Sequence, residues 1–330
     1  MRKPVALVTG CTGMDGSHLM ELLLEKGYEV HGLMRRHSNA DPWRIRHLLD
    51  RVEIHTGDLL DQAGLANLLS QVQPHEVYNL AAQSFVKASF EIPVYTAEAT
   101  GLGALKLFEA VRCTCHSTTR VFQASSSEMF GNVPAPQNEY SAMYPVSPYG
   151  VAKLFAHRIA QVYRQSYRMF IACGISFNHE GERRGSEFVT RKITLAATRI
   201  KAGLQDFLEL GDTSARRDWS FAPDVMRGAW ASLQRNTPDD YVFASGETHS
   251  VQEFINIAFN TLGLNPKNHV RSGHLKHQRP TEIWELRGDP SKARTELGWL
   301  PTINFTQLVQ RMIAYDLSQA FYNSPRANQN

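Results

Sequence analysis

The sequence has no long hydrophobic run and no strong excess of either charge. Its 330 residues include 35 Lys and Arg and 32 Asp and Glu, for a net charge of +3. No stretch is apolar over the length that a membrane-spanning helix needs, and the apolar run after Pro4 is too short for a signal peptide. This composition argues against a protein specialised for a nucleic-acid or membrane surface.

Cysteine is scarce, and its spacing carries no signal. Cys11, Cys113, Cys115 and Cys173 match neither a metal site nor a disulfide framework, and the 13 histidines show no ligand pattern. We therefore expect no metal and a reducing cytoplasm as the location. Internal repeats and low-complexity tracts are also missing, and we expect only the polar tail, 323–330, to be disordered.

Apolar segments of strand and helix type alternate along the first half of the chain. This alternation predicts an α/β fold, a Rossmann-type doubly wound parallel sheet with a smaller C-terminal lobe. The expected strands are 4–8, 28–34, 52–59, 76–80, 120–124 and, returning to the sheet, 240–244. The expected helices are 17–26, 62–72, about 89–112, 251–262 and 305–321.

A glycine triad follows the first predicted strand. Gly10, Gly13 and Gly16 form Gly-x-x-Gly-x-x-Gly between that strand and an amphipathic helix. Glycine lets the backbone turn tightly and approach a pyrophosphate, and the helix N-terminus offers free N–H donors. The stretch therefore predicts a dinucleotide site.

The end of the second predicted strand lacks the acidic residue that usually holds the ribose of NAD. Arg35 and Arg36 stand there instead, and guanidinium groups suit a 2′-phosphate, so NADP is the expected cofactor. Asp58, at the end of the third predicted strand, is placed to bracket the adenine. The small residues Ala81 and Ala82 would let the cofactor pass close to the backbone.

A second polar stretch follows the predicted strand 120–124. In an extended chain Ser126 and Glu128 would project to the same side. Ser147 looks like a helix N-cap with proline at the first helical position, which puts Tyr149 and Lys153 one turn apart on one face. These four side chains are the candidate catalytic group.

The physical purpose of such a group is to make a phenolate. A free tyrosine titrates near pH 10, so acting as a base near pH 7 needs a shift of about 3 units, or ~4 kcal/mol. One ammonium at ~4 Å supplies about that much at an effective dielectric constant of ~20. We therefore expect Lys153 to lower the pKa of Tyr149, with a cationic nicotinamide adding to the effect.

With these motifs the chain resembles the extended short-chain dehydrogenases/reductases. More narrowly, it is similar to the GDP-mannose 4,6-dehydratase family over almost its whole length. The motifs that carry the resemblance are the glycine triad, Asn79-Leu-Ala-Ala-Gln-Ser84, Ser-Ser-Glu128, Tyr-x-x-x-Lys153, Phe177-Asn-His-Glu180, Arg183-Arg-Gly185, Phe188-Val-Thr-Arg-Lys-Ile193, Arg217-Asp-Trp219, Ala244-Ser-Gly-Glu-Thr-His-Ser-Val251, Arg279-Pro-Thr-Glu282 and Gly288-Asp-Pro-Ser-Lys292.

The resemblance implies roles for individual residues. The family's catalytic Thr, Glu, Tyr and Lys fall on Ser126, Glu128, Tyr149 and Lys153. Its NADP contacts, together with the residues assigned above, fall on Gly10, Thr12, Gly13, Met14, Asp15, Gly16, Arg35, Arg36, Asp58, Leu59, Leu80, Ala81, Ala82, Gln83, Ser84, Tyr95, Lys153, His179 and Arg184. The expected substrate contacts are Ser84, Ser126, Glu128, Asn178, Lys192, Arg217, Arg279 and Glu282, with the basic residues on a nucleotide diphosphate.

The resemblance also implies the activity and the domains. GDP-mannose would be oxidised at C4, lose water across C5–C6 and regain the hydride at C6. Residues 1–178, with 213–247 returning to them, would form the NADP-binding domain, and 179–212 and 248–322 the nucleotide-sugar lobe. A homodimer or homotetramer is expected. The chain departs from the family at Met14, where Gln is usual, at Ser126, where Thr is usual, and in the loop 37–41.

Three alternatives remain open from the sequence. A related reductase or epimerase would share the Tyr and Lys but has no need of a carboxylate at Glu128. A 4,6-dehydratase of another nucleotide sugar, such as a GDP-heptose or a CDP-hexose, would keep every catalytic residue. A catalytically silent cofactor-sensing protein has no reason to keep all four.

Overall fold

The computed structural model describes residues 3–36, 42–274 and 280–322. Arg279, the loop 37–41 and the tail 323–330 lie outside these residues. In chain order the strands are β1 Val5–Thr9, β2 Glu29–Met34, β3 Glu53–Thr56, β4 Glu76–Asn79, β5 Arg120–Ser126, β6 Phe170–Ser176, β7 Asn178–Glu180, β8 Leu208–Glu209, β9 Arg216–Arg217, β10 Trp219–Phe221, β11 Asp240–Phe243, β12 His249–Ser250, β13 Val270–Arg271 and β14 Glu285–Leu286.

The helices in chain order are α1 Met14–Glu25, α2 Gln62–Val72, α3 Val86–Glu91, α4 Pro93–Thr96, α5 Gly103–Thr114, α6 Pro148–Tyr167, α7 Val189–Lys201, α8 Ala222–Leu233, α9 Val251–Thr261, α10 Pro266–His269, α11 Ser291–Leu297 and α12 Phe305–Tyr322. Short 3₁₀ turns cover Arg46–Leu48 and Ser127–Met129, and a π-helical segment covers Ala97–Leu102. No helix in the described part of the chain is long and apolar enough to cross a membrane.

Seven strands form one parallel sheet in the order β11-β6-β5-β4-β1-β2-β3. The chain winds outward from β1 to β3 and then restarts on the other side at β4, so the winding direction changes between β1 and β4. In open α/β sheets the ligand crevice forms at this point, outside the carboxyl ends of the strands. The predicted Rossmann-type fold is confirmed, and the strand expected at 240–244 pairs with β6 at the sheet edge.

Apolar layers cover both faces of the sheet. Helices α1 and α8 bury residues such as Leu19, Met20 and Val225 on one face. Helices α2, α5 and α6 bury residues such as Leu69 and Phe108 on the other. Helices on both faces keep both sides of a parallel sheet away from water, as its near-continuous apolar strands require.

A separate apolar core forms in the C-terminal part. Helices α7, α9 and α12 pack against one another around residues such as Phe254, Val309 and Met312. Trp219 joins this core and stacks on Phe305, with ring centroids 5.5 Å apart. The small sheets β10-β7 and β12-β9-β14 connect this core to the rest of the molecule, whereas β13-β8 lies within the C-terminal part. The expected helices at 251–262 and 305–321 are confirmed to within one residue at each end.

The helix expected at about 89–112 is instead divided into α3, α4, the π-helical segment and α5. The residue before a proline is disfavoured in the helical region, and Ile92, before Pro93, has φ −129° and ψ 58°. In the π-helical segment, a Cβ on Gly101 would lie 3.3 Å from Phe155 of α6. The interruption therefore lets α6 pack closely against this segment.

Candidate functional site

A cavity of about 470 Å³ opens at the carboxyl ends of the strands, around the change of winding direction. It brings together nearly all of the cofactor and catalytic residues expected from the sequence. The expected residues in its wall are Gly10, Thr12, Gly13, Met14, Asp15, Gly16, Arg35, Asp58, Leu59, Leu80, Ala81, Ala82, Gln83, Ser84, Tyr95, Ser126, Glu128, Tyr149, Lys153, Asn178, His179 and Arg184. One cavity therefore holds both the dinucleotide-type loop and the candidate catalytic group.

The glycine loop is tighter than expected. Helix α1 begins at Met14 rather than near residue 17, because the N–H of Gly13 bonds the carbonyl of Gly10 at 2.9 Å and closes the turn early. Gly10 has φ +68°, and a Cβ there would lie 2.8 Å from the backbone nitrogen of Ala81. A Cβ on Gly16 would lie 2.4 Å from the carbonyl oxygen of Gly10. Larger residues would close the cradle, so it suits a pyrophosphate at a helix N-terminus.

A row of buried polar side chains crosses the strand ends under the cavity, and it was missed in the sequence. Thr9 donates to Asn79 at 2.9 Å, and Asn79 donates to Gln123 at 2.8 Å. Gln123 then donates to the carbonyl of Ala124, which also accepts from Lys153 Nζ at 2.8 Å. The row links the start of the glycine loop to Lys153. The polar residues at the ends of adjacent strands are the sequence pattern that could have predicted this row.

Ser126 and Glu128 reach the cavity by a different route from the one expected. Strand β5 ends at Ser126, and residues 127–129 form a 3₁₀ turn that Ser126 caps, with its Oγ accepting the N–H of Glu128 at 3.3 Å. The extended-chain prediction was therefore wrong, because this cap ends the strand. Both side chains still line the cavity, and the Glu128 residue is only 8% exposed.

The expected start of helix α6 is confirmed. Ser147 is its N-cap, with Oγ accepting the N–H of Gly150 at 3.0 Å, and Pro148 is the first helical residue. Tyr149 and Lys153 are both buried in the cavity wall. The cap and the proline thus fix the first turn of the helix that carries both groups.

The electrostatics of Tyr149 differ from the sequence-based expectation. Burial raises its pKa above the ordinary value, and the hydrogen bond with Ser126 is the largest effect that opposes the rise. Lys153 Nζ lies 5.8 Å from the centre of the Tyr149 ring and donates to Ala124, and burial lowers the Lys153 pKa to about 8. Lys153 is not among the main groups that lower the Tyr149 pKa, contrary to the expectation, because the simple Coulomb argument left out the desolvation of both groups.

An ion pair closes the cavity beside the glycine loop. His179 Nε2 lies 2.9 Å from Asp15 Oδ2, and His179 Nδ1 lies 2.8 Å from the carbonyl of Phe177. Burial acts against both charges, but their attraction prevails, so the pKa of His179 is raised and that of Asp15 is lowered. Asp15 Oδ1 is buried without a hydrogen-bond partner among the described residues, which leaves one acceptor for a ligand hydroxyl or amide.

The two arginines after β2 separate in the structure. Arg35 lines the cavity and hydrogen-bonds the hydroxyl of Tyr95. Arg36 is exposed and lies outside the cavity wall. Arg44, which the sequence did not single out, also lines the cavity and donates to the carbonyl of Arg183 at 2.7 Å.

The expected substrate residues fall into two groups. Ser84 and Asn178 line the cavity with Ser126 and Glu128, whereas Lys192, Arg217 and Glu282 lie outside its wall. Lys192 donates to the carbonyl of Glu209 at 2.8 Å, and Arg217 pairs with Glu282 at 2.6 Å.

One buried carboxylate organises the region around Arg217. Asp218 accepts hydrogen bonds from the N–H and Oγ of Ser245 and from the N–H groups of Gly246 and Gly288. Burial raises its pKa, although all four bonds oppose the rise. We call this set the Asp218 junction. It joins three motifs that lie far apart in the sequence and carry the family resemblance.

A second buried network lies behind β5 and was also missed. His157, one turn after Lys153 on α6, bonds Ser125 Oγ at 2.9 Å and Gln161 at 3.1 Å. Burial lowers the pKa of His157 to about 4, so this histidine is neutral at pH 7. Gln161 also donates to Asp240, whose charge is balanced by Arg164 at 2.5 Å. The network fixes α6 against the sheet next to Lys153.

Sequence comparison extends over almost the whole chain. The family model described as GDP-mannose 4,6 dehydratase matches residues 7–312. GDP-mannose 4,6 dehydratase 1 of Arabidopsis thaliana is 49% identical over 96% of this chain and 91% of its own length. GDP-mannose 4,6-dehydratase of Vibrio cholerae is 44% identical over 97% of this chain and 95% of its own length.

Solved structures share the fold. UDP-glucose 4-epimerase of Thermus thermophilus, in complex with NAD, has a TM-score of 0.82 at 26% identity and covers 94% of this chain and 98% of its own. RMD of Pseudomonas aeruginosa, complexed with NADPH, has a TM-score of 0.80 at 24% identity and covers 96% of this chain and 100% of its own. The family model and the close relatives agree with the cavity and its motifs, and the chain belongs to the GDP-mannose 4,6-dehydratase family.

Proposed function

We propose that this protein converts GDP-D-mannose to GDP-4-keto-6-deoxy-D-mannose and water, as an NADP-dependent hydro-lyase. The observation that carries the proposal is the buried Glu128 carboxyl in the same cavity as Tyr149, Lys153 and Ser126. A Tyr and a Lys suffice for oxidation and reduction at one carbon. Removing water across a neighbouring bond requires a further acid–base group.

Tyr149 takes the proton of the 4-hydroxyl as the C4–H bond gives up its hydride. Because burial keeps the phenol protonated, its role as a base needs positive charge close by, and Arg184 is one group that lowers its pKa. The hydrogen bond with Ser126 also opposes the rise in the Tyr149 pKa, and in the complex Ser126 would donate its one O–H to the sugar oxygen. Lys153 stays fixed at the carbonyl of Ala124 and keeps the first turns of α6 in place.

Glu128 carries the elimination. A ketone at C4 makes the C5 proton acidic, and Glu128 takes this proton and passes it to the departing 6-hydroxyl, which leaves as water. The double bond between C5 and C6 then receives a hydride at C6 and, at C5, a proton that Glu128 has taken up again from solvent, while Tyr149 releases the proton of the 4-hydroxyl to solvent. The atoms balance. One hydride leaves C4 and one proton leaves its oxygen, and one hydride is added at C6 and one proton at C5.

The lining of the cavity supports NADP as the proposed cofactor. The Gly10–Gly16 loop, which approaches the backbone of Ala81 too closely for a Cβ at Gly10, would hold the pyrophosphate, and Arg35 would hold the 2′-phosphate. When bound, NADP would supply the hydride acceptor for C4, the donor for C6 and, in its oxidised form, a positive charge beside Tyr149. Asp15 and His179 would orient the ligand through the free Oδ1 of Asp15.

The GDP part of the substrate belongs, in this proposal, to the C-terminal residues. Arg217, Glu282, Lys192 and Arg279 are assigned to the nucleotide by their family motifs. The Asp218 junction supports this assignment because it holds β9, which carries Arg217, beside the loop before β12. The division into a domain of 1–178 with 213–247 and a lobe of 179–212 with 248–322 stays part of the proposal.

Assembly and location complete the proposal. Val151, Phe155 and Val162 of α6 are 54%, 40% and 47% exposed, and Leu102 beside them is 43% exposed. Their spacing puts them along one side of the helix, and we propose that a second copy of this chain covers them in a dimer or tetramer. A monomer at micromolar concentration in light scattering would contradict this.

The proposed location is the cytoplasm, which is consistent with four free thiols.

An epimerase or reductase is the second candidate, favoured by the structural similarity to UDP-glucose 4-epimerase. Incubation of the purified protein with GDP-mannose and NADP separates the candidates. A dehydratase yields a sugar nucleotide that has lost one water and carries a 4-keto group, seen by mass spectrometry and NMR. An intact hexose with an inverted carbon would favour the epimerase. A dehydrated product from GDP-heptose or CDP-hexose alone would move the assignment to that substrate.

A further inference from the structure

Two histidines and two glutamates meet at the outer edge of the sheet, away from the cavity. In the parallel register of β2 and β3, His31 lies opposite Glu53, and Leu33 lies opposite His55. Because strand residues alternate between faces, residues 29, 31, 53 and 55 share one face of the sheet. We call His31, Glu53 and His55, with Glu29 behind them, the edge cluster.

The potential ligand atoms of the edge cluster converge. His31 Nδ1 lies 2.9 Å from His55 Nε2. The two carboxylate oxygens of Glu53 lie 3.6 Å from these nitrogens, Oε2 from His31 and Oε1 from His55. The two ring nitrogens therefore face each other across nearly coplanar rings, with planes 14° apart and centroids 5.2 Å apart, and one carboxylate flanks both nitrogens. We call the midpoint between the two nitrogens the convergence point. Between neutral rings a single proton occupies the short contact, and the carboxylate is too far away for a hydrogen bond to either nitrogen.

Glu29 orients the buried member of the cluster. His31 is 6% exposed, and its Nε2 lies 3.2 Å from Glu29 Oε1. The carboxylate accepts the Nε2 proton, so the neutral ring presents its Nδ1 lone pair to the convergence point. A carboxylate behind a histidine is the usual support of a metal-ligating imidazole.

The cluster is also accessible. Strand β3 is the last strand of the sheet, and the Glu53 side chain is 65% exposed. An ion can reach the two imidazoles from the Glu53 side, and that carboxylate is free to move a short distance toward it.

We propose that His31, His55 and Glu53 bind one divalent transition-metal ion, with Zn²⁺ as the best match and solvent in the fourth position. Two imidazoles and one carboxylate are a known zinc ligand set. Zn–N bonds of about 2.0–2.1 Å in a tetrahedron place two nitrogens about 3.3 Å apart, so the nitrogens need to separate by a few tenths of an ångström, and both rings must turn so that their lone pairs point to the ion. Binding releases the proton between the two rings.

The bound ion would join β2 to β3. Arg35 lies four residues beyond His31, Asp58 lies three residues beyond His55, and both line the cavity. The proposed role is structural, since the ion would stabilise the edge of the cofactor cavity without touching the reacting atoms. We expect a higher melting temperature with zinc and an unchanged turnover number.

The test uses the full-length protein without an affinity tag, stripped with EDTA and titrated with Zn²⁺ by calorimetry. One equivalent should bind with micromolar or tighter affinity. His55→Gln and Glu53→Gln should each weaken binding by at least ~10-fold, and Glu29→Gln by ~10–100-fold through loss of support for His31. His55 and Glu53 carry the test because both are more exposed than His31, and circular dichroism checks their folding.

His47→Gln is the matched control, since His47 also contacts a carboxylate, that of Glu21, but Arg183 pairs with the same carboxylate at 2.6 Å and its positive charge opposes a metal ion there. It should bind zinc like the wild type. Cys173→Ser tests the buried group His157, Cys173 and Asp240, the other possible ligand cluster among the described residues. The proposal is overturned if the wild type binds no stoichiometric zinc, or if zinc binding survives in His55→Gln and Glu53→Gln.

Discussion

The cavity and the Asp218 junction are built in opposite ways. The cavity takes its polar side chains from the ends of neighbouring parallel strands, so residues close to each strand end in the sequence meet in space. The junction joins Asp218, Ser245 and Gly288, which come from three separate segments, through hydrogen bonds to one carboxylate. A site on a sheet is fixed by the fold itself, whereas the junction depends on a few buried polar contacts.

The largest effect should come from the cavity, with Tyr149→Phe. Removing the phenolic oxygen removes the base for the 4-hydroxyl proton, which should lower turnover of GDP-mannose by ~10²–10⁴-fold. Binding of GDP and NADP should change little, because the ring remains. Tyr163→Phe, on the same helix but bonded to Glu109, is the control and should stay active. Equal losses in both variants would place the effect in the packing of α6.

Asp218→Asn tests whether the junction depends on its carboxylate. An amide cannot accept on both sides, so at least one buried N–H loses its partner at ~1–3 kcal/mol each. We expect the free energy of unfolding in urea to fall by about 2–4 kcal/mol, and GDP affinity to fall more than NADP affinity. Asp212→Asn should cost under ~1 kcal/mol, because Ser214 donates both of its bonds to a single exposed oxygen that an amide can supply. Equal costs would contradict the role of burial.

His157 gives the packing behind the cavity a pH dependence. Its folded pKa, about 4, lies below the unfolded value of 6.5, so the unfolded chain binds more protons between these values. Stability is therefore complete above pH 6.5 and falls as the pH drops toward 4. In His157→Gln this fall should be smaller by up to about 3 kcal/mol. The exposed His116→Gln should keep the wild-type slope, and the same slope in all three proteins would contradict the account.

The smallest effect concerns the cofactor. Arg35 lines the cavity and Arg36 does not. Losing one charged contact to a 2′-phosphate costs about 1.4–3 kcal/mol, so Arg35→Ala should weaken NADP at least ~10-fold more than NAD. Arg36→Ala, tested alongside, should discriminate less. Equal losses of NADP and NAD in Arg35→Ala would show that this arginine does not recognise the phosphate.

The sequence predicted the cavity better than the rest because local rules govern its parts. The glycine loop and the Ser147 cap depend on neighbouring residues, and both formed near the expected places. The position of Lys153 Nζ on Ala124, the Asp218 junction and the His31–His55 contact depend on residues 24 or more positions apart. Spacing along the chain carries no signal for such contacts, since only the tertiary structure brings these residues together. Desolvation of Tyr149 likewise depends on burial that the sequence does not show.

The most direct measurement is the exchange of the C5 proton of GDP-mannose in deuterated water with the Glu128→Gln variant. Glutamine keeps the size of the side chain but cannot take a proton near neutral pH. The variant should bind GDP-mannose and NADP, form enzyme-bound NADPH with a 4-keto sugar, and exchange the C5 proton ~10²–10⁴-fold more slowly than the wild type, with almost no 6-deoxy product. Exchange and product formation at the wild-type rate would contradict the role of Glu128 and reopen the epimerase and reductase alternatives.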